Sequence, residues 1–179
     1  LEFSGNYLLS FINDILEINR LESNNIHIEK IKFNLVELVN NINQSFSGFI
    51  SKNNINFKLD LDIKGNENLI GDPTKLSQIL INLINNSIKF TKNGNVRLAI
   101  KTIKEKNNKI TLKFVVEDNG IGIPEDKIDN IFDSFSQGSV EINRTYGGTG
   151  LGLSIVKKII EILGSDIHLE SNFNEGIKF

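Results

Sequence analysis

The chain has 179 residues, 39% of them hydrophobic and 23% charged, with a formal net charge of -2 and no cysteine. That length supports a sizeable core in one domain with an appendage, and the slightly acidic balance leaves no electrostatic footprint for nucleic acid. Disulfides and thiolate metal sites are excluded, which is compatible with a reducing cytosol, and no apolar run approaches the roughly 20 residues that span a bilayer.

In chain order, Leu8, Phe11, Ile15 and Ile18 follow a seven-residue pattern, and Leu9, Ile12 and Leu16 widen the apolar surface around a helix. So wide a stripe calls for partner helices, as in a four-helix bundle. Ser23-Asn24-Asn25 reads as a hinge, and alternation from Ile26 to Phe33 predicts a strand. Asn34 is placed to cap a helix that turns Leu35, Leu38, Val39, Ile42, Phe46 and Phe49 inward, with Glu37 set for a capping-box contact. A strand follows from Ile55 to Ile63, and Asp72-Pro73 opens the next helix as a cap plus a first-turn proline.

On that helix Asn82, Asn86 and Lys89 fall at i, i+4 and i+7 and share one face, while Leu76, Leu80, Leu83 and Phe90 are expected to fill the other. Asn93-Gly94 leads into strands at Val96 to Thr102 and Ile110 to Val116, joined as a hairpin through the polar turn Glu105 to Lys109. A last strand is expected from Asp166 to Ser171, and the chain opens without methionine and stops at Phe179 inside an apparent strand. Both ends read as those of a piece excised from a longer protein, without a signal or transit segment in view. The alternation of elements predicts an α+β two-layer sandwich preceded by an α-helix.

Four groups carry the chemistry: Asn82-x-x-x-Asn86, Asp118-x-Gly120-x-Gly122, Phe132-x-x-Phe135 and Gly147-Gly148-Thr149-Gly150-Leu151-Gly152. The asparagine face can hold a metal and phosphates, because carboxamide oxygens are hard ligands that add no basicity. Asp118 ends an apolar strand and opens a glycine turn, where its carboxylate can accept from an exocyclic amine such as adenine's. The second glycine cluster runs straight into a helix, so bare amides and the helix's positive end can meet a phosphate chain. It is not a Rossmann GxGxxG, and the lysine of a GxxxxGK[ST] loop is missing.

At these residues the chain resembles the catalytic and ATP-binding domain of sensor histidine kinases, hybrid kinases included, within the superfamily that also holds gyrase-type and chaperone ATPases. Gln78 to Thr91 resembles the asparagine box, Glu117 to Ile123 the first glycine box, Ile131 to Gln137 the phenylalanine box and Tyr146 to Ile155 the second glycine box. The resemblance implies a Bergerat-type fold with a mixed, mainly antiparallel sheet and helices on one face. It implies ATP and Mg2+ as ligands, with Asn86 on the metal and Asn82 assisting it. Asn82 also stands where the superfamily's hydrolases carry a water-activating glutamate, so the resemblance implies transfer in place of hydrolysis.

By the same resemblance Lys89 faces the phosphates, Phe90 lies near the nucleotide, and Ile123 belongs with Asp118, Gly120 and Gly122 in the ATP site. Phe132 and Phe135 are expected to be core residues anchoring the base of a lid from Gln137 to Tyr146, in which Arg144 is placed to neutralise charge on the transferring phosphoryl. Residues 1–22 resemble the end of the second helix of the dimerisation and phosphoacceptor hairpin, with 23–25 as hinge and 26–179 as the catalytic domain, truncated at its C-terminus. The partners implied are that hairpin, a second copy joined through the helix bundle, and the receiver domain of a response regulator. The implied location is the cytoplasm, compatible with a parent anchored in a membrane.

His27 and His168 each stand alone and read as solvent-facing strand residues, and no serine-histidine-glutamate run is present. The third glycine box departs from the family pattern, with Gly176 as the one glycine kept after the late strand. A nucleotide-responsive interaction module without phosphoryl transfer is the alternative that this departure favours.

Overall fold

The computed structural model describes residues 2–22, 27–65, 67–135 and 149–179. The expected hinge at 23–25, the lid segment 136–146 with Arg144, and Gly147 and Gly148 lie outside the described residues. The elements are α1 (Glu2–Glu22), β1 (Ile31–Asn34), α2 (Leu35–Ser45), α3 (Ser47–Lys52), β2 (Asn56–Asp62), β3 (Asn68–Gly71), α4 (Pro73–Phe90), β4 (Asn95–Lys106), β5 (Lys109–Asp118), α5 (Glu125–Ile128), α6 (Gly152–Ile162), β6 (Glu170–Asn172) and β7 (Gly176–Lys178). They divide into a sheet unit, Glu29–Glu125 with His168–Phe179, and a helical unit, Leu1–Ile28 with Asp126–Ile167.

In the sheet unit five strands pair in the order β2-β4-β5-β7-β6. Only β2 and β4 run parallel, so the sheet is mixed and mainly antiparallel, as expected. Alternate residues set its two faces: Val96, Leu98 and Ile100 are buried, and α4 packs against β4 and β5. Along α4 the buried arc is Ile79, Leu80, Leu83, Ile84, Ser87 and Ile88; Leu76 and Phe90, expected in it, are half-buried at its margins. On the opposite sheet face Lys58, Arg97, Glu117, Lys178 and Glu170 stand in one cross-strand row. Arg97 also bonds Asp60 at 2.7 Å, and its guanidinium is the main cause that holds the Asp60 carboxyl below the usual carboxylate range. With Asp60 set against both Lys58 and Arg97, the group holds three charges of each sign and keeps that face in water, leaving the helices on the other.

Local chemistry explains the element ends. The Asn34 side chain accepts from Glu37 N at 2.8 Å and starts α2. The single helix expected from Leu35 to Phe49 is instead two, because Ser45 Oγ takes the Ile42 carbonyl at 2.6 Å and Phe46 N turns to Asn43 O at 3.2 Å. Strand β1 is shorter than expected, since its partner β3, a four-residue strand not anticipated, sets the length of their ladder. The last strand likewise covers only 170–172, where β7 is there to pair. Asn107 and Asn108, with φ of 52° and 58°, form the two-residue turn of the β4–β5 hairpin, a conformation that asparagine tolerates better than most residues.

Asp72 does more than cap α4. Its Oδ1 accepts from Lys75 N at 2.9 Å and its Oδ2 from Glu29 N at 3.1 Å, tying the segment before β1 to the helix start. Asp72→Ala is expected to cost about 2–3 kcal/mol in urea denaturation, one cap plus one orphaned amide, and Asp72→Asn should recover about half by keeping one acceptor.

In the helical unit α1 packs against α6, whose Ile155, Val156 and Ile159 are buried. Leu8, Leu9, Ile12 and Leu16 of α1 stay exposed, the wide apolar stripe read from the sequence. Among the described residues no helix is long and apolar enough to cross a membrane.

Candidate ATP site

In the sheet unit the candidate site is built where β5 ends beside the last turn of α4. Asp118 is 5% exposed. Its Oδ1 accepts from Gly120 N at 3.0 Å, whereas Oδ2 is buried with no hydrogen-bond partner. Burial pushes the carboxyl above its usual range, opposed by Ser87 and by the Gly120 and Ile177 amides. Ser87 acts there as a nearby dipole, since its hydroxyl falls outside hydrogen-bond geometry and, like Thr91 Oγ1, has no partner. Three buried polar atoms without partners in one place need an explanation. A ligand amine that donates to the carboxylate supplies one.

The glycines hold this loop close. A β-carbon on Gly120 would lie 2.9 Å from Thr91 Oγ1 and would collide with the Phe90 carbonyl, which accepts from Ile121 N at 3.3 Å. Gly122, at φ +62°, passes over the β6–β7 hairpin, where Ile123 N donates to Ser171 Oγ at 2.9 Å and Ser171 Oγ donates to Gly176 O at 2.8 Å. Asn82, Asn86 and Lys89 are each half-buried along one edge of α4. Burial lowers the Lys89 pKa, and its ammonium lies 4.8 Å from the centre of the Phe90 ring.

The helical unit carries the other group. Leu151, the N-cap of α6, offers no side-chain cap, so the first amides of that helix are left for another acceptor. Gly150 turns with φ +72° and its carbonyl accepts from Phe135 N at 3.2 Å. Thr149 Oγ1 accepts from Leu151 N at 3.3 Å. Gly152 opens α6, and Phe132 is half-buried with Lys157 Nζ 5.8 Å from its ring centre. Phe135 corrects an expectation: it is 62% exposed with φ +64°, not a core residue, because its backbone turns back toward Gly150.

With that geometry in hand, residues 71–179 match the family described as histidine kinase-, DNA gyrase B-, and HSP90-like ATPase. The chain belongs to this ATPase family. Similar relatives include the signal transduction histidine-protein kinase BarA of Escherichia coli, 38% identical over 100% of this chain and 20% of its own length. The hybrid signal transduction protein dokA of Dictyostelium discoideum is 38% identical over 98% of the chain and 11% of its own length. The chain thus spans a fifth or less of these two relatives. Among solved structures, full-length ShkA in complex with AMPPNP aligns at TM-score 0.83 and 27% identity, covering 98% of this chain and 35% of that one. ThkA in complex with the response regulator protein TrrA aligns at 0.73 and 29%, covering 99% and 47%.

The ATPase family implies a nucleotide and a divalent cation. The orphaned Asp118 oxygen fits an adenine amine. For the cation the donors are two carboxamides, and no group of three His, Cys, Asp or Glu side chains is present among the described residues. Such a set suits Mg2+ that arrives with most of its ligands from phosphate and water, not an ion caged by protein. Ser87, Thr91 and Ser171 had no role in the sequence reading. The signal was a polar residue, Ser87, inside the buried arc of α4, and a second, Thr91, at its C-cap.

Proposed function

We propose that this chain is the ATP-binding catalytic domain of a two-component sensor histidine kinase. It binds Mg-ATP and presents the γ-phosphoryl to a histidine on a helix hairpin, for relay to a response-regulator aspartate. The observation that carries this reading is the buried Asp118 carboxylate, one oxygen held by Gly120 and the other free beside Ser87 and Thr91. It is an acceptor built for an exocyclic amine such as adenine's.

Each residue then has a task. Asp118, Gly120, Gly122 and Ile123 hold the base, with Phe90 and Phe132 as ring contacts. Asn86, assisted by Asn82, positions the cation, which when bound neutralises phosphate charge. Lys89 faces the phosphates, and Thr149, Gly150, Leu151 and Gly152 offer backbone amides to them. By sequence Arg144, Gly147 and Gly148 complete this set. Residues 1–22 form the end of the hairpin's second helix and 26–179 the catalytic domain, and the exposed stripe of α1 suits a helix bundle shared with a second copy. Support for a receiver partner comes from ThkA, whose complex holds the response regulator TrrA. Asp118, Asn86 and Gly120 stand ready for a ligand, so no described residue favours a module that has lost its chemistry.

Catalysis in this reading is positioning and charge neutralisation, with Asn82 withholding a general base from water. Three experiments test it. Calorimetric titration should show Mg-ADP binding and GDP binding far weaker, and equal affinities would remove adenine recognition. With labelled ATP the isolated chain should take up no stable γ-phosphate, while a separately supplied histidine hairpin should. Asn82→Glu should raise basal ATP hydrolysis about tenfold, less than the ~10²–10⁴ of a fully positioned base. Wild-type hydrolysis as brisk as that of a dedicated ATPase would sink the kinase reading.

A further inference from the structure

We propose that Asp14 is a positioning residue that regulates the nucleotide site, by holding Thr149 in competition with the phosphates of a bound nucleotide. The inference rests on the ATP reading above for its consequence, and on the helical unit alone for its geometry. Along α1 Phe11, Asp14, Ile15, Ile18 and Leu21, at i, i+3, i+4, i+7 and i+10, are covered together with Glu17, whereas Leu8, Leu9, Ile12 and Leu16 face solvent. A carboxylate therefore stands in the middle of an apolar contact stripe, a placement that is costly unless the group is paired. Its partner is Thr149, whose hydroxyl donates to Asp14 Oδ2 at 2.7 Å from 135 residues away in sequence.

Thr149 has one hydroxyl proton to give. While that proton goes to Asp14, and the hydroxyl oxygen accepts from Leu151 N, the side chain has no donor left for a phosphate oxygen. The Asp14 charge also lies beside Thr149 and repels any polyphosphate that approaches it. The latched α1 and a phosphate-filled glycine cluster are thus competing states. Reciprocity follows: whatever loosens α1 tightens nucleotide binding, and nucleotide loosens α1 by the same factor.

Two measurements on the full chain decide the proposal. Without nucleotide, hydrogen exchange across residues 8–20 should rise in Asp14→Ala and in Thr149→Val, the double variant adding little to either, while Thr149→Ser keeps wild-type protection. Unchanged protection in the single variants would overturn the latch. With Mg-AMPPNP, Asp14→Ala should bind threefold to tenfold more tightly than wild type. A merely structural Asp14 would leave affinity unchanged or lower it, and either result overturns the competition. If neither wild type nor Asp14→Ala binds Mg-AMPPNP, the ATP reading falls and the competition with it, while the exchange data still decide whether the latch exists.

Discussion

Asp118→Asn should abolish most adenine-nucleotide binding while leaving the unliganded chain as stable as wild type or more so. The two effects have one cause. Burial disfavours the ionised carboxylate and raises its pKa, so above the ordinary aspartate value of about 4 the folded chain resists an ionisation that the unfolded chain undergoes freely. Because the folded pKa is raised, the relative stability this group gives is complete below that ordinary value and is lost as pH rises through the folded one. Asparagine removes the charge. Its new N–H can be accepted by Ser87 Oγ or Thr91 Oγ1, both buried without a partner. Melting curves should therefore show the variant equal to or above wild type near pH 7, with any advantage fading toward pH 4.

Binding moves the other way. The variant loses a charge-assisted acceptor and turns a donor toward the donor amine of the base, a loss of about 3 kcal/mol or roughly a hundredfold in affinity. Calorimetric titration with Mg-ADP reads this directly. Unchanged affinity would remove Asp118 from the site, and a large drop in melting temperature would mean that the carboxylate serves the fold instead of a ligand.

What could be read from the sequence was local or periodic. Asp72-Pro73 and Asn34 marked helix starts because a cap acts within one turn, and the asparagine edge of α4 followed from the helical period alone. What could not be read depends on partners far along the chain. Residues 27–30 carry strand-like alternation, yet only 31–34 pair, since β3 reaches no further. Phe135 had the spacing of a core residue, but a positive φ turns it out. The polar cluster around Asp118 joins residues 87, 91 and 118, and no spacing rule links a helix end to a strand end across a sheet. The four motifs pointed to a ligand class; the buried polar cluster rests on long-range contacts.

Gly176 shows this most plainly, and Gly176→Ala should be among the most damaging single substitutions in the chain. In sequence the third glycine box looked thinned to one residue. In the fold that residue has φ +108°, a conformation that alanine adopts only under strain, and an added β-carbon would drive into the carbonyl of Asp118 and approach Asn119 Cα to 2.7 Å. Neither neighbour is a side chain able to swing away. Asn119 is pinned by bonds to Asn95, its N–H donating to the carbonyl at 3.2 Å and its Oδ1 accepting from the amide at 2.7 Å. Relief therefore requires β7 to leave β5, breaking the pairing of Ile177 with Asp118 and of Lys178 with Glu117. Strain of about 1–3 kcal/mol adds to the lost strand pairing, so about 3–5 kcal/mol in chemical denaturation is expected. The site should suffer too, because Gly176 O receives the Ser171 hydroxyl that fixes the amide of Ile123. Saturating Mg-ADP should then recover less stability in Gly176→Ala than in wild type. If the variant melts within a degree of wild type and binds as well, the close contact of β7 with Asp118 is not what shapes the base-binding loop.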